Sequence, residues 1–454
     1  MDRPPVNDAT AGETTPLLSI IIPTRERCEY LVSCVRSALA CSDSEIEIVV
    51  SDNASSDDTR AVVKSFDDAR LVYANPGTRV PMHDNFEFAL SKSRGRHVMF
   101  IGDDDAVLPE RIRRLLVLLR DKRPQIVNWH PPNYVWPGGA NGDHGLLTLK
   151  PLHLRGGQSK RDARERLCSL ADGSRESYRF GGAKIYHGCV DRKVITQVIA
   201  RAGRYFFVPW PDVGAAIANL FVADTILVLG QPCTLGGESR ASNGWAQRFQ
   251  ESQHDRDNPH VAFVQENLTR TGSGAVDSRI RPIAALTFFT LAEALRRMGG
   301  EKPPRLNTRA WIPMLESELA SVPEPARSEQ ADIVDASLAS IGVAPLDRNW
   351  SSKGKHKSAR LRPPVRRHRL LPDRMGIVSR PGLCGNVFDA ALLTDRILGS
   401  ASDAERRGNI ALAGAWMGAL RRAAGIVGSR AKTVQVFGDH VAVAHNSFPH
   451  RAGK

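Results

Sequence analysis

Across the first 130 residues, five short apolar runs at 19–22, 46–51, 71–73, 98–101 and 126–129 alternate with segments of helical spacing, and this alternation restricts the fold more than any other feature of the chain. Runs this short, rich in Ile and Val, read as buried strands and not as buried helices. The segments between them read as helices over 30–40, 57–66, 83–91 and 109–120. In the first, Leu31, Val35, Ala38 and Leu39 fall on one face; in the last, Pro109 suits the first turn and Ile112, Leu115, Leu116 and Leu119 form the apolar stripe. Such alternation predicts an α/β domain with a mixed, mostly parallel sheet flanked by helices on both faces. Ligands in these sheets sit at the carboxyl ends of the strands, so chemistry is to be sought just after each run.

The pattern loosens after Pro131 into a Gly-rich, polar stretch to about Ser177, resumes at Tyr186 and ends near the Gly-rich loop from Gly236 to Gly244. Further helices are expected over 283–298, stopped by Gly299 and Gly300, and over 329–341, 386–398 and 410–426, with a short strand over 434–437. Between Lys353 and Arg374 nine Lys or Arg stand against one Asp, which accounts for eight of the net charge of +13. That stretch contains proline and few apolar residues, so it reads as a basic linker making weak contact with anionic surfaces, not as a nucleic-acid-binding domain. The expected division is a disordered tail 1–16, a domain in two halves 17–130 and 131–260, a helical appendage 261–345, the linker 346–376 and a small C-terminal region 377–454. The longest apolar runs, 17–22 and 115–119, fall far short of the roughly 20 residues of a membrane span. The polar, acidic N-terminus is unlike a signal peptide, and a cytoplasmic protein is expected. Seven cysteines without a Cys-x-x-Cys pair read as reduced thiols that fill core space.

Three strand ends carry polar clusters. Gly102-Asp103-Asp104-Asp105 follows the run 98–101 directly, and three adjacent carboxylates repel one another unless a cation compensates them. Mg²⁺ or Mn²⁺ held by one or two carboxylates, with phosphate oxygens and water completing the shell, is the usual arrangement for diphosphate substrates. Capping the following helix would occupy only one of the three. The run 46–51 leads into Asp52-Asn53-Ala54-Ser55-Ser56-Asp57, where Asp52 is placed to accept from a base N–H or a ribose hydroxyl, and the later residues read as turn and N-cap. The run 19–22 leads into Pro23-Thr24-Arg25-Glu26-Arg27, whose two arginines read as solvated surface charges. Asp212, behind Trp210-Pro211 and at the head of a helical run 213–220, is a candidate general base and equally suits a helix cap. His187 and His83 are weaker candidates for metal ligation or proton transfer, and Trp210 and Trp245 for stacking on a sugar. No chemistry is legible after residue 260.

Taken together, the strand ends resemble family 2 glycosyltransferases of the GT-A fold: Pro-Thr after the first strand, Asp-Asn-x-Ser-x-Asp after the second and an Asp-x-Asp motif after a later one, in matching order and spacing. Val80-Pro81-Met82-His83-Asp84-Asn85-Phe86, then Ala89-Leu90 and Arg94-Gly95-Arg96, is similar to the helix before the family's metal strand. Tyr186-His187-Gly188, Gly203-Arg204-Tyr205-Phe206, Pro211-Asp212-Val213 and Gly236-Gly237-Glu238-Ser239 resemble the acceptor half of one bacterial branch. The resemblance covers about residues 17 to 245. It implies a Rossmann-like GT-A sheet, here with a helical C-terminal extension, and transfer of a sugar from a nucleoside diphosphate donor, UDP-linked, to the hydroxyl of a saccharide or other acceptor, with inversion. It puts Pro23, Thr24, Glu26 and Asp52 around the nucleotide and Asp103 and Asp104 near the ribose and uracil. It assigns Asp105, with Asp103, to the Mn²⁺ or Mg²⁺, and Asp212 to the general base. The chain departs from the pattern where Glu26 replaces the usual Asn, where Pro211-Asp212 supplies one carboxylate in place of a pair, and where Gln-x-x-Arg-Trp is absent although Trp245-Ala246-Gln247-Arg248 holds similar residues in another order.

Two rival classes are distinguishable on the same residues. A sugar-phosphate nucleotidyltransferase needs a Gly-rich phosphate loop after the first strand, and Thr24-Arg25-Glu26-Arg27 contains no glycine. A non-catalytic protein of the same fold, binding nucleic acid or an anionic surface through the basic linker, would have no use for the full set of carboxylates. A dinucleotide-binding oxidoreductase is excluded because no Gly-x-Gly-x-x-Gly follows the first strand.

Overall fold

Strand β1 (Leu18–Thr24) explains why the apolar runs are continuous instead of alternating. Leu18, Ile20 and Ile22 enter one core cluster and Ile21 enters another on the opposite face. Strands β2 (Ile46–Asp52) and β4 (His97–Phe100) divide their side chains in the same way, Val49 and Phe100 to one face and Val50 and Met99 to the other. A strand covered on both faces must be apolar at every position. The computed structural model describes residues 15–138, 143–154, 156–174, 182–242, 264–266, 276–300, 303–350, 374–378, 385–399, 433–437 and 440–444.

The larger sheet has eight strands. β3 (Leu71–Ala74), β2, β1 and β4 run parallel in that order, followed by β10 (Gly188–Asp191), β6 (Ile126–Asn128), β11 (Thr225–Leu229) and β9 (Gln158–Asp162). β10 is antiparallel to both its neighbours, and β11 is parallel to β6 and antiparallel to β9. Helices α1 (Cys28–Leu39) and α4 (Pro109–Lys122) cover one face through Leu31, Val35, Ile112, Leu115 and Leu119, and α3 (Met82–Ser91) covers the other through Phe86, Ala89 and Leu90. Each such Leu or Ile, fully buried, contributes about 1.5–3 kcal/mol. Helix α2 (Thr59–Lys64) follows β2. The mixed, mostly parallel sheet with helices on both faces, expected from the alternation, is therefore the observed one.

The second sheet, in the order β14 (Thr433–Phe437), β15 (His440–Ala444), β13 (Arg374–Val378), β8 (Leu146–Leu149), β7 (Asn133–Val135), β12 (Thr234–Glu238) and β5 (Ala106–Val107), was not legible in the sequence beyond the strand near 434. It joins chain ends to the middle: β13 pairs with β8, and β12 pairs with β5, which directly follows the acidic motif. Helix Val387–Leu398 packs against α1, α4, β5 and β12, and its Ala391, Leu393 and Ile397 share a cluster with Tyr134, Trp136 and Leu235. Buried Arg111 of α4 holds this helix by an ion pair to Asp395 at 3.4 Å and also donates to Gln231 at 2.7 Å. Helix Val387–Leu398 of the small C-terminal region expected over 377–454 thus packs on the domain, and β13 begins within the stretch expected to be linker.

The expected helical appendage is likewise part of the main core. Helices Ile283–Met298, Thr308–Leu319 and Ala326–Ser340 bury Phe288, Leu291, Trp311, Leu315 and Val334 in the cluster that holds Val98 and Phe100 of β4. The Trp311 indole N–H donates to the Leu170 carbonyl at 3.1 Å. Among the described residues no helix is long and apolar enough to cross a membrane, and the described cysteines are free thiols. The tail 1–14, most of the basic linker, the expected helix 410–426 and Trp245 lie outside the described residues.

Candidate active site

The acidic motif begins where β4 ends, and it is fixed at both ends. The Ile101 N–H donates to the Ile21 carbonyl at 3.1 Å, and Ala106 and Val107 pair with Leu235 and Thr234 of β12. All three carboxylates are buried, at 1%, 4% and 2% exposure for Asp103, Asp104 and Asp105, and so the strand end is not the solvated one that three charges suggest. None of them caps α4, whose N-cap is Leu108.

Each carboxylate has its own donors. Asp103 Oδ2 accepts from the Thr24 hydroxyl at 2.7 Å, and its Oδ1 lies 2.9 Å from Arg27 Nη1. Asp104 Oδ2 accepts from Arg27 Nη2 at 2.8 Å and from the Ser239 hydroxyl at 2.7 Å. Asp105 Oδ2 accepts from the Gly102 N–H at 2.6 Å and the Tyr186 hydroxyl at 2.7 Å, and Oδ1 from the Gly237 N–H at 2.6 Å, while His187 Nε2 stands 3.3 Å from Oδ2. Burial pushes Asp103 up to about 6 against the pull of Arg27, and raises Asp104 as well. Asp105 faces the same burial, but His187, the Gly237 N–H and the Tyr186 hydroxyl bring it below the usual carboxylate value.

Arg27 corrects the expectation of a solvated charge. Its guanidinium is half-buried between Asp103, Asp104 and Ser239 and lies 5.7 Å over the Tyr30 ring. Burial works to lower its pKa, but Asp103 and Asp104 outweigh that and raise it, so Arg27 is a permanent counter-ion. No periodicity in the sequence distinguishes it from a surface arginine; only the pairing across the sheet does. Ser239, Gly237 and Tyr186 were missed as individual contacts for the same reason, although their motifs were legible.

Beside the loop is a cleft of about 520 Å³, lined by Pro23, Thr24, Glu26, Asn53 and Asp103 among others. Glu26 has φ +53° and uses its carboxylate to tie the first two strand ends together, accepting from the Ser56 N–H at 3.0 Å and pairing with Arg79 at 2.7 Å. Asp52 lies behind the cleft wall, its oxygens taken by the Ser55 N–H at 2.9 Å, the Tyr73 hydroxyl at 2.6 Å and the Asn75 amide at 3.2 Å; the neighbouring Asn53 lines the cleft instead. Asp57 supports the same corner by accepting from the Cys28 N–H at the start of α1 at 2.9 Å. Arg25 is also no free surface charge, since it makes a two-pronged contact with Glu266 at 2.7 and 2.6 Å. Both line the cleft, so a residue after 260 does reach the site.

Asp212 stands in the first turn of helix Pro211–Ala218, where its side chain is exposed. The protein packed around it still raises its pKa above the ordinary carboxylate value by desolvation, against the Val213 and Asp212 backbone N–H groups and the fields of His187 and Lys184. Desolvation thus outweighs the amides of the helix N-terminus. Tyr186 also lies in the field of Asp212. The fold thus brings Asp103 to the cleft, Asp105 beside Tyr186 and His187, and Asp212 within the field of that pair. His83 is buried and stands 3.4 Å from Asp84, and Trp210 is core.

Comparison with known proteins agrees with these motifs. Residues 19–176 match Glycosyl transferase family 2. Over 104 residues the chain is 35% identical to the GalNAc(5)-diNAcBac-PP-undecaprenol beta-1,3-glucosyltransferase of Campylobacter jejuni, covering 22% of this chain and 34% of that protein. Over 111 residues it is 27% identical to the putative teichuronic acid biosynthesis glycosyltransferase TuaG of Bacillus subtilis, covering 24% and 43%. The alignments span less than half the length of these curated relatives. The solved structure of S. aureus TarS 1-349 in complex with UDP-GlcNAc covers 71% of this chain and 87% of its own at 15% identity, with a TM-score of 0.40. Residues 19–176, which hold the acidic motif and most of the cleft lining, are thus similar to glycosyl transferase family 2.

Proposed function

We propose that this protein transfers a sugar from a nucleoside diphosphate sugar, UDP-linked, to the hydroxyl of a saccharide or other acceptor, in one inverting displacement. The observation that carries this reading is the line of carboxylates from the cleft wall at Asp103, through Asp105, to the field of Asp212. The relatives' names, a beta-1,3-glucosyltransferase among them, support transfer of a hexosyl group. In this reading Pro23, Thr24 and Glu26 border the nucleotide, Asp52 braces that wall, and Asp103 and Asp104 face the ribose and base.

A divalent ion, Mn²⁺ or Mg²⁺, fits the residues present. Asp105 and Asp103 offer carboxylate oxygens, which suit hard cations, and the buried Oδ1 of Asp103 makes no hydrogen bond among the described residues. Among the described residues no group of three His, Cys, Asp or Glu side chains is placed to hold a metal ion. When bound, the ion supplies positive charge against the departing nucleoside diphosphate. Arg27 keeps two of the three carboxylates from repelling each other, so that the loop holds its shape with or without donor. Asp212 takes the proton of the acceptor hydroxyl, and a pKa raised above the ordinary carboxylate value makes it a stronger base than an ordinary carboxylate. The acceptor oxygen then attacks the anomeric carbon from the side opposite the diphosphate, and inversion follows. We place the reaction in the cytoplasm, since a charged nucleotide sugar does not cross a bilayer unaided.

The test is a melting-temperature panel of UDP, GDP and dTDP and their sugars, with and without Mn²⁺. A UDP-sugar at about 100 times its Kd is expected to add about 2.7 kcal/mol of stability, and to do so only with metal. Failure of every nucleotide sugar to stabilise the protein refutes the proposal.

A further inference from the structure

We infer that Glu266 is a built-in counter-ion that holds Arg25 until the donor's negative charge displaces it, and that it thereby sets how tightly the donor binds; the inference rests on the proposed binding of a nucleoside diphosphate sugar in the cleft. Six charged side chains line that cleft: Arg25, Arg27 and Arg79, and Glu26, Asp103 and Glu266. Each arginine is paired with one of these carboxylates. Arg27 Nη1 lies 2.9 Å from Asp103, Arg79 Nη2 lies 2.7 Å from Glu26, and Arg25 Nη1 lies 2.6 Å from Glu266 Oε2. The cleft wall is therefore formally neutral, whereas its proposed ligand carries several negative charges.

An anion that enters a neutral cleft loses hydration without gaining net attraction. Two sources can supply the missing positive charge: a divalent ion that arrives with the donor, and an arginine released from its own carboxylate. The three pairs differ in what else depends on them. Arg27 also neutralises Asp104, so its release would leave two buried carboxylates without a counter-ion. The Arg79 side chain is 49% exposed, against 23% for Arg25, and water screens its charge whether or not it leaves Glu26. Arg25 is left as the exchangeable one.

The geometry of the Arg25 pair suits exchange. Both contacts run through Nη1, at 2.7 and 2.6 Å to the two Glu266 oxygens, and among the described residues Nε and Nη2 make no hydrogen bond. A guanidinium carries five N–H donors in a fixed fork, so an incoming anion can engage the unused edge before Glu266 lets go. Glu266 itself is delivered by chain anchored elsewhere. Val264 packs against the main core cluster, and the Ser278 hydroxyl donates to the Val264 carbonyl at 3.4 Å. A brace for this corner is not what the fold lacks. Glu26 already accepts from the Ser56 and Asp57 N–H groups at 3.0 and 3.1 Å, and Asp57 from the Cys28 N–H at 2.9 Å.

The same exchange runs backwards after sugar transfer. Glu266 returns to Arg25 as the nucleoside diphosphate leaves, so the pair loosens the grip on product as well as on donor. Product release limits many enzymes, and a competing carboxylate inside the cleft works against that limit.

The experiment is titration calorimetry of UDP, GDP and dTDP in turn, with Mn²⁺, on the full-length parent, Glu266→Ala, Arg25→Gln and the double variant. Glu266→Ala is expected to tighten the nucleotide that the parent binds best by about 2- to 5-fold, the scale of a half-buried ion pair, and Arg25→Gln to weaken it. The gain from Glu266→Ala is expected to vanish in the Arg25→Gln background. Glu266→Gln, which removes the charge and keeps the side-chain length, serves in the same cycle should the alanine variant not fold. Unchanged or weaker binding in a folded Glu266 variant makes the residue a brace and overturns the inference, while donor binding stands. An equal gain with and without Arg25 means that Glu266 acts by repulsion alone, and overturns it too. Failure of the parent to bind any of the three nucleotides overturns both the inference and the donor reading on which it rests.

Discussion

Gly237→Ala tests whether β12 is pressed against the acidic loop as tightly as the geometry requires. The added Cβ would sit 1.8 Å from the Asp104 carbonyl oxygen, 2.5 Å from its carbonyl carbon and 3.1 Å from Trp136 Nε1. The first two obstacles are backbone, so the strand or the loop must retreat by about 1.6 Å to restore the 3.4 Å of ordinary contact. Overpacking of this sort costs about 1–3 kcal/mol. The same retreat stretches the 2.6 Å bond from the Gly237 N–H to Asp105, a charge-assisted bond of about 1.5–3 kcal/mol. The combined loss is about 2.5–6 kcal/mol, or a melting temperature lower by about 5–24 °C for a domain of this size. Gly236→Ala is the control, because its Cβ meets nothing nearer than the Pro132 carbonyl oxygen at 3.5 Å. Thermal denaturation followed by circular dichroism on parent and both variants decides the matter. Equal melting temperatures for the Gly236 and Gly237 variants would refute the argument that this strand holds the carboxylates in place.

Four further outcomes are expected. Asp105→Ala is expected to lower the melting temperature, since it strands the Gly102 and Gly237 N–H groups; Asp105→Asn is the milder variant, and loss of Mn²⁺-dependent donor binding by calorimetry is its readout. Asp212→Asn is expected to keep parental stability and donor affinity and to slow sugar transfer by about 10²-fold or more. In the parent, the rate should fall as pH drops through an Asp212 pKa raised above the ordinary carboxylate value, so a pH–rate profile flat down to the ordinary range counts against Asp212 as base. Arg27→Met leaves Asp103 and Asp104 buried without their counter-ion, at a cost of about 3–5 kcal/mol; their folded pKa values rise further, so the stability loss is smallest at low pH and grows as pH rises through them, and melting curves at pH 5 and pH 8 that shift equally would contradict this. Truncation after Trp350, compatible with donor hydrolysis on sequence grounds alone, removes β13 and helix Val387–Leu398 from the cluster around Tyr134 and Leu235, and a lowered melting temperature with weakened donor binding is expected; a truncated protein with parental melting and binding would refute that packing argument.

The sequence by itself determined the elements of residues 18 to 130 and the places where chemistry gathers. Buried strands must be apolar on both faces and helices on one, so Leu18–Thr24, Ile46–Asp52 and Pro109–Lys122 were readable as periodicity, and strand ends are where a parallel sheet exposes polar residues. It also located Asp103, Asp104 and Asp105 as one charged group, because three adjacent carboxylates are a local fact. What it left undecided was the state of those charges. The sequence left Arg27 open to solvent and did not show how far Asp105 is enclosed, whereas the fold half-buries Arg27 against two carboxylates and buries Asp105. It showed no reason for Gly237 and Ser239 to touch the motif or for helix Val387–Leu398 to join the domain. Each of these depends on a partner more than 75 residues away in the chain, as Arg27 to Asp104 is at 77 and Asp105 to Gly237 at 132. Periodicity and propensity act over a few residues and cannot carry such information. Only the tertiary structure decides which distant donor meets which carboxylate, and hence which of them stay charged, which are tied down and which remain free to act.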